Sequence, residues 1–422
     1  MLCLVVIAGG KGSRLKKFFK RKSKTLVSIN DIVPLKQIND NFQSIKKKFL
    51  LINNKQSDII NFVKKKKFNF KIIKENQYLG DGGCLSQLKK IKKFYKYKFL
   101  IVPGDLIVNF NFSKFYNFHL KKKASISVFV HPTNHLIDSD TVQLNRSSKV
   151  IKFYFKPHSN INKVSNISLS GICIINGSKL KTIKEKKSSF KSILKKNRNI
   201  FGYTSRELVR DIGTVPRLLH ARKFYNLKNI KKFNISNKMP AFFLDRDGVL
   251  NKESDNTNYS DPTNLFTNIS KSIKRINDNG YLTVIITNQP GIAKGFFSIK
   301  YLNLVHLRMQ NLLSLKGAFI DKIYFCPHHP NKGFKNEIKK FKIKCNCRKP
   351  KIGLFQKAIK DLNIDKRKSI FIGNSMADYL ASKNLKIKYF HIKKRTNFNN
   401  PWVFESLNSA VNFFFQKKFD LI

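Results

Sequence analysis

The stretch Ala241–Asn251, AFFLDRDGVLN, limits what this chain can fold into more than any other. A short apolar run ends on Asp245, and Asp247 follows two residues later. Strand geometry points residues i and i+2 the same way, so both carboxylates leave the C-terminal end of one strand together. Gly248 then lets the backbone turn. Two acids at the end of a buried strand are costly unless they bind a metal or do chemistry. The segment therefore predicts an enzyme, with its site where the strand ends of an open α/β sheet converge.

The rest of the chain fits that expectation. Its 422 residues suit two domains, each with its own core. Apolar runs alternate with amphipathic stretches in both halves, which predicts an α/β fold of two domains, each a mainly parallel sheet covered by helices. Leu2–Ala8, Lys48–Asn53, Lys71–Lys74, Phe99–Val102, Ala124–Val130, Thr141–Leu144 and Ile172–Asn176 read as strands of the first half. Ala241–Asp245, Thr283–Asn288, Lys322–Phe325, Ser369–Gly373 and Lys388–Ile392 read as strands of the second. The stretch before Pro240 is polar, basic and weakly periodic. It places a linker at 223–240, between domains at 1–222 and 241–422.

The charge is extreme, with 84 Lys+Arg against 24 Asp+Glu, a net +60. Nucleic-acid binding, steering of polyanionic substrates and compositional drift are the three readings. Lysine runs such as Lys64–Lys67 and Lys121–Lys123 pepper both halves and form no single stripe, so drift is favoured and no specific nucleic-acid partner is expected. No apolar run has the length to cross a membrane, and Leu2–Ala8 is too short for a signal-peptide core. Six cysteines are too sparse for a disulfide scaffold, so a cytoplasmic location is expected. Cys3 and Cys173 fall in expected strands, and Cys84 follows a Gly-Gly turn.

Further motifs end the successive strands of the second half. TVIITNQPGIAKG carries Thr287, Asn288 and Gln289; CNCRKP carries Arg348 and Lys349; SIFIGNSMAD carries Asn374 and Asp378. Together they resemble the haloacid-dehalogenase-type phosphatases over roughly Met239–Phe415. The likeness is closer still to the heptose bisphosphate phosphatases and their histidinol-phosphatase relatives. The resemblance implies that Asp245 is the nucleophile, forming an aspartyl-phosphate. It makes Asp247 the general acid and base. Thr287 and Lys349 then stabilise phosphoryl charge, and Asn288, Gln289 and Arg348 contact substrate. Mg²⁺ is expected on Asp245, Asp247 and the fourth motif. There the family usually has Asp-Lys, and this chain has Asn374 and Ser375, so metal affinity should drop unless Asp378 compensates.

Cys326-Pro-His328-His-Pro and Cys345-Asn-Cys347 offer three thiolates and an imidazole, the donor set of a closed, structural Zn²⁺ site. The resemblance assigns Cys326, His328, Cys345 and Cys347 as ligands; His329 is the alternative imidazole. Cys347 directly precedes Arg348-Lys349, so a metal clamp there would order the loop carrying those cations.

In the first half, VVIAGGKGSRL is a strand followed by a glycine-rich turn with Arg14. It is followed by Lys24, by the loop ENQYLGDGG with Gly80, Gly82 and Gly83, by FLIVPGD ending on Asp105, and by Asp211-Ile-Gly-Thr. In this order the set resembles the sugar-1-phosphate nucleotidyltransferases over roughly Met1–Arg222, most of all the guanylyltransferases. The resemblance implies that Gly9, Gly10, Gly12 and Arg14 wrap a nucleoside triphosphate and that Lys24 neutralises its α-phosphate. Asp105 and Asp211 would hold Mg²⁺, Gly80–Gly83 would lie against base or sugar, and Lys156 would contact the sugar phosphate. Ser23 stands where the family commonly has proline, Phe155 where it has an acid, Asp81 for threonine and Ser170 for asparagine.

A phosphatase acting on a sugar bisphosphate makes a sugar-1-phosphate, and a nucleotidyltransferase consumes one. The fusion suggests consecutive steps: removal of the 7-phosphate of D-glycero-D-manno-heptose 1,7-bisphosphate, then nucleotide activation of heptose 1-phosphate, GTP leading. The competing readings change the sugar, for example to mannose-1-phosphate, make the second half histidinol-phosphatase-like, or retain it as a scaffold.

Overall fold

A computed structural model describes residues 1–10, 23–252, 264–392 and 402–416. The chain divides into two compact units. One holds Met1–His131, Val142–Phe153 and Leu169–Asn234, and the other holds Pro132–Thr141, Tyr154–Ser168 and Ile235–Ile422. Both are α/β.

The first unit is centred on strand Leu2–Ile7, whose residues Cys3 to Val6 are fully buried. A run apolar on both faces marks a strand covered on both sides. Lys48–Asn53 and Lys98–Pro103 flank it in parallel. Lys71–Glu75 continues one side, while Ile167–Asn176, antiparallel, leads to Ile126–Pro132 and Ile200–Thr204 on the other. Phenylalanine fills the core: Phe110 meets Phe129 at 4.9 Å and Phe42 at 5.3 Å between ring centroids. A separate antiparallel ribbon pairs Leu106–Asn109 with Leu208–Asp211. The sequence reading did not find this ribbon, because each strand is only four residues long.

The second unit has a six-stranded parallel sheet. Its order is Lys322–Cys326, Leu282–Asn288, Ala241–Leu244, Ile370–Gly373, Lys388–Ile392 and Val403–Phe404. Helix Ile269–Asp278 buries Ile269, Ile273 and Ile276, the spacing of one helical face. Phe242 packs on Phe414 of helix Leu407–Gln416 at 4.8 Å. No helix among the described residues is long and apolar enough to cross a membrane.

The unit boundaries differ from the expected linker. Tyr225 and Ile230, inside 223–240, are buried with Ile107, Leu208 and Ile212, so the first unit runs on to Asn234. The segments 132–141 and 154–168 group with the second unit. Asn311, on helix Ile299–Leu315, donates to the carbonyls of Ile161 and Val164 at 3.0 Å each, and the Leu136 amide donates to Ser314 Oγ at 3.2 Å. Such long-range side-chain bonds leave no local signal in sequence.

Candidate active sites

In the second unit the parallel register sets the site. Leu244 lies opposite Ile285 and Ile372, and Asn288 opposite Cys326. Asp245, Thr287, Asn288, Cys326 and Asn374 therefore end, or directly follow, four adjacent strands. Lys349, almost fully buried, reaches in with its Nζ 2.8 Å from Asp245 Oδ2 and 2.6 Å from Asp378 Oδ1. Burial pushes the Asp245 carboxyl well above the usual carboxylate range, and the Lys349 ammonium opposes that rise.

Asp378 does not present the free carboxylate expected of a metal ligand. Its Oδ2 accepts from Asn374 N, Ser375 N and Ser375 Oγ at 3.2, 3.1 and 2.7 Å, while Oδ1 meets Lys349. It forms a capping box with Ser375 at the start of helix Met376–Leu385, and it fixes the lysine. Asn288, expected on phosphate, has its amide turned to the Lys349 backbone: Nδ2 donates to Lys349 O at 3.2 Å and Oδ1 accepts from Lys349 N at 3.0 Å. Gln289 is similarly engaged, donating to Asp247 Oδ2 and Thr287 Oγ1 at 2.8 and 2.9 Å. Both act here as positioning groups. Arg348 donates to the His328 carbonyl at 3.4 Å.

Sequence reasoning missed Arg246, which is 1% exposed. Its Nε and Nη2 donate to both Asp247 oxygens at 2.8–3.0 Å, and its Nη1 meets His306 Nε2 at 3.2 Å. Burial lowers the His306 pKa to about 3, and the Arg246 charge adds to that, so the imidazole is neutral and Nε2 accepts. Burial works against ionisation of Asp247, but Arg246 and hydrogen bonds from Asn251 and Gln289 hold its carboxyl below the usual range. An arginine between two acids was the available signal.

The donor atoms of Cys326, His328, Cys345 and Cys347 all lie within 4.8 Å of one another. The three sulfurs are 3.1 to 3.6 Å apart, and His328 Nδ1 is 3.2 Å from Cys347 Sγ. A tetrahedral zinc site with ~2.3 Å metal–sulfur bonds has ligand-to-ligand edges of about 3.8 Å, so this cluster is close to the size of one. His329 is turned elsewhere, with Nδ1 3.3 Å from Asn331 O. For Mg²⁺, Asp245, the Asp247 main chain and Asn374 offer oxygen donors where the strands end, the ligand type that ion takes.

In the first unit, the ribbon sets Asp211 opposite Leu106, beside Asp105. Lys24 Nζ lies 2.7 Å from Asp105 Oδ2. A methyl at Gly213 would sit 2.7 Å from Asp211 Oδ1 and 2.8 Å from Lys24 Nζ, so the lysine and both acids converge there. Asp211 also pairs with Arg217. Two partly exposed carboxylates suit Mg²⁺. Gly9 packs against Glu75 and Asn53, whereas a methyl at Gly10 would meet no described residue within 4 Å. Gly12 and Arg14 lie outside the described residues.

Two expectations for this unit change. The Gly82 and Gly83 amides donate to Ser188 O at 3.1 and 3.2 Å, and added Cβ atoms would collide with the backbone of 186–189. These glycines serve close packing of two chain segments and do not offer their amides to a ligand. Gly80, at φ +75°, supplies the left-handed turn before them. Asp81 joins the same contact by accepting from Phe190 N at 3.1 Å. Lys156 belongs to the second unit, where its Nζ meets Asp138 Oδ1 at 2.5 Å.

Comparison with known proteins agrees with both constellations. The family model for nucleotidyl transferase matches residues 4–227, and that for polynucleotide kinase 3 phosphatase matches 238–406. The D-glycero-beta-D-manno-heptose-1,7-bisphosphate 7-phosphatase of Haemophilus ducreyi is 41% identical over 150 residues, 35% of this chain and 79% of that protein. The D-glycero-alpha-D-manno-heptose-1,7-bisphosphate 7-phosphatase of Photorhabdus laumondii is 42% identical over 150 residues, 35% of this chain and 78% of that protein. A crystal structure of HddC from Yersinia pseudotuberculosis complexed with GMP-PN is 22% identical, with 53% of this chain and 99% of that chain covered and a TM-score of 0.46.

Fold, site and matches define a bifunctional enzyme: a nucleotidyltransferase joined to a haloacid-dehalogenase-like phosphatase. The chain belongs to the nucleotidyl transferase family through residues 4–227 and to the D-glycero-D-manno-heptose-1,7-bisphosphate 7-phosphatase family through its C-terminal part.

Proposed function

We propose that the chain catalyses two consecutive steps. It hydrolyses the 7-phosphate of D-glycero-D-manno-heptose 1,7-bisphosphate, then transfers a nucleotidyl group, from GTP, to heptose 1-phosphate with release of pyrophosphate. The observation that carries this reading is that the product of one active-site class is the substrate class of the other, within one chain. Identity of 41% to a heptose bisphosphate phosphatase supports the sugar. The guanylyltransferase-like motif order supports the base.

In the phosphatase unit Asp245 attacks phosphorus. The phosphate dianion beside Asp247 favours its protonated form against the pull of Arg246, and the bond to the leaving sugar oxygen breaks as Asp247 gives that proton to the oxygen. Asp247, then an anion held by Arg246, takes a proton from the water that opens the aspartyl-phosphate. Lys349 offsets charge on the nucleophile and on the transferring group, held in place by Asp378 and Asn288. Asp245, the Asp247 carbonyl and Asn374 would hold Mg²⁺, whose charge offsets that of the phosphoryl oxygens when bound. The four Cys and His residues would hold Zn²⁺ and order the Arg348-Lys349 loop. In the first unit Lys24 faces the α-phosphate, while Asp105 and Asp211 would hold Mg²⁺ beside it. Nucleotide and sugar-phosphate substrates support a cytoplasmic setting.

One phosphorus NMR time course tests the proposal, with purified protein, Mg²⁺, GTP and each anomer of heptose 1,7-bisphosphate in turn. Inorganic phosphate followed by pyrophosphate and a GDP-sugar is the expected result. An intact bisphosphate, with added heptose 1-phosphate still converted, would refute the phosphatase step.

A further inference from the structure

Lys24 is aimed at the site by a contact that the motif does not contain. Ser23, directly before it, donates its backbone amide to Asp58 Oδ2 at 2.7 Å and its hydroxyl to Asp58 Oδ1 at 2.8 Å. Asp58 lies 35 residues further on, in the first turn of helix Ser57–Lys65, and its Oδ1 also accepts from Ile59 N at 2.9 Å. One carboxylate thus ties the helix start to the residue that launches the turn Lys24–Leu26. Ser23 O closes that turn by accepting from Leu26 N at 2.9 Å. From there Lys24 reaches Asp105 at 2.7 Å, converging with Asp211 at Gly213.

Ser23 itself sits at φ −61° and ψ 140°. That is extended backbone a serine can leave freely, since nothing in its own chemistry fixes φ. A proline ring would fix φ near about −65° without help. Here two hydrogen bonds to a charged acceptor replace that restraint, and such bonds are the stronger kind.

We infer that Asp58 is a positioning residue for nucleotidyl transfer: it locks Ser23 and thereby sets the direction of Lys24, without itself touching substrate. This rests on the nucleotidyltransferase reading given above and adds a residue that none of the motifs includes. The effect should fall on the chemical step, because a misdirected cation weakens transition-state stabilisation more than nucleotide binding, and small misplacements cost up to about a hundredfold in rate.

The experiment is steady-state pyrophosphate release by the full chain with GTP and heptose 1-phosphate. It compares the parent, Asp58→Ala, and the double variant Asp58→Ala with Ser23→Pro. Thermal melting and near-ultraviolet circular dichroism of the same preparations report that the first unit is folded. Asp58→Ala should lower kcat between about tenfold and a hundredfold, with KM for GTP changed less than about threefold. Adding Ser23→Pro should recover most of the loss, because proline restores φ and the lost amide no longer has a partner to leave unpaired. A merely structural role for Asp58 would not be rescued by a proline at position 23. Asp58→Asn, which keeps an oxygen for the Ser23 hydroxyl and loses the charge, should fall between the parent and the alanine variant. A parent-like kcat for Asp58→Ala, or a double variant as slow as the single one, overturns the inference. A parent that transfers no nucleotidyl group overturns the underlying reading, and the clamp with it.

Discussion

Lys349→Met tests the phosphatase site most directly. The lysine is 3% exposed, and its ammonium lies 2.8 Å from Asp245 and 2.6 Å from Asp378. Methionine keeps most of the volume and removes the charge. Two buried carboxylates then face each other without the cation that compensates them. Breaking a buried ion pair from one side costs about 3–5 kcal/mol. For a unit of this size each kcal/mol is worth about 2–4 °C, so the melting temperature of the second unit should fall by about 6–20 °C. Measurement in EDTA keeps divalent cations from replacing the lost charge. The loss should depend on pH. Asp245 already has a raised folded-state pKa, so folding disfavours its ionised form, and stability from this group falls as pH rises through that pKa. Without Lys349 the penalty grows, and the deficit should be larger at pH 8 than at pH 5.5, where protonation relieves it. Phosphate release should drop by at least about a thousandfold, since Asp245, the proposed nucleophile, is then protonated and the phosphoryl charge unopposed. Scanning fluorimetry at both pH values, with a phosphate-release assay, gives the answer. A variant that melts with the parent, or that loses more at pH 5.5, would refute this account of the site.

Other consequences are open to single measurements. Cys345→Ser should reduce metal content from about one zinc per chain to well under half, and should slow phosphate release while leaving nucleotidyl transfer unchanged; elemental analysis and the two assays check this. Asn374→Asp restores a charged oxygen beside Asp245, so half-saturation of phosphate release should need about tenfold less Mg²⁺; a titration with an unchanged midpoint would exclude Asn374 as a ligand. His306 is buried and neutral, with its pKa lowered to about 3, so it must take up a proton on acid unfolding. Its contribution is intact above pH 6.5 and is lost as pH falls, by about 3 kcal/mol at pH 4.5, at about 1.4 kcal/mol per unit. Urea unfolding at the two pH values should show that difference, and His306→Gln, which keeps an acceptor for Arg246, should flatten it.

Much of the architecture was legible in the chain because it is written in local pattern. The apolar runs at 2–7, 48–53, 98–103, 282–288 and 388–392 are strands, since a strand buried on both faces must be apolar throughout. The acids after Leu244 and the cysteine pairs are likewise local, and their chemistry follows from residue type. Partners distant in sequence were not legible. The ribbon that sets Asp211 beside Asp105 consists of two short strands about a hundred residues apart, and nothing in either names the other. Asn288 reads as a phosphate ligand by position, yet its amide is spent on the Lys349 backbone. Gly82 and Gly83 read as a ligand loop, yet they make room for the backbone of 186–189. The sequence by itself determined two α/β units, the place of Asp245 at the end of a buried strand and the gathering of three cysteines with a histidine, because strand periodicity and ligand chemistry act over a few residues. Only the tertiary structure decided that Arg246, backed by His306, holds Asp247, that Asp378 serves Lys349, and that Asp58 holds Ser23. Those roles depend on which atoms converge after folding, and a buried charge takes its function from whatever neighbours stabilise it.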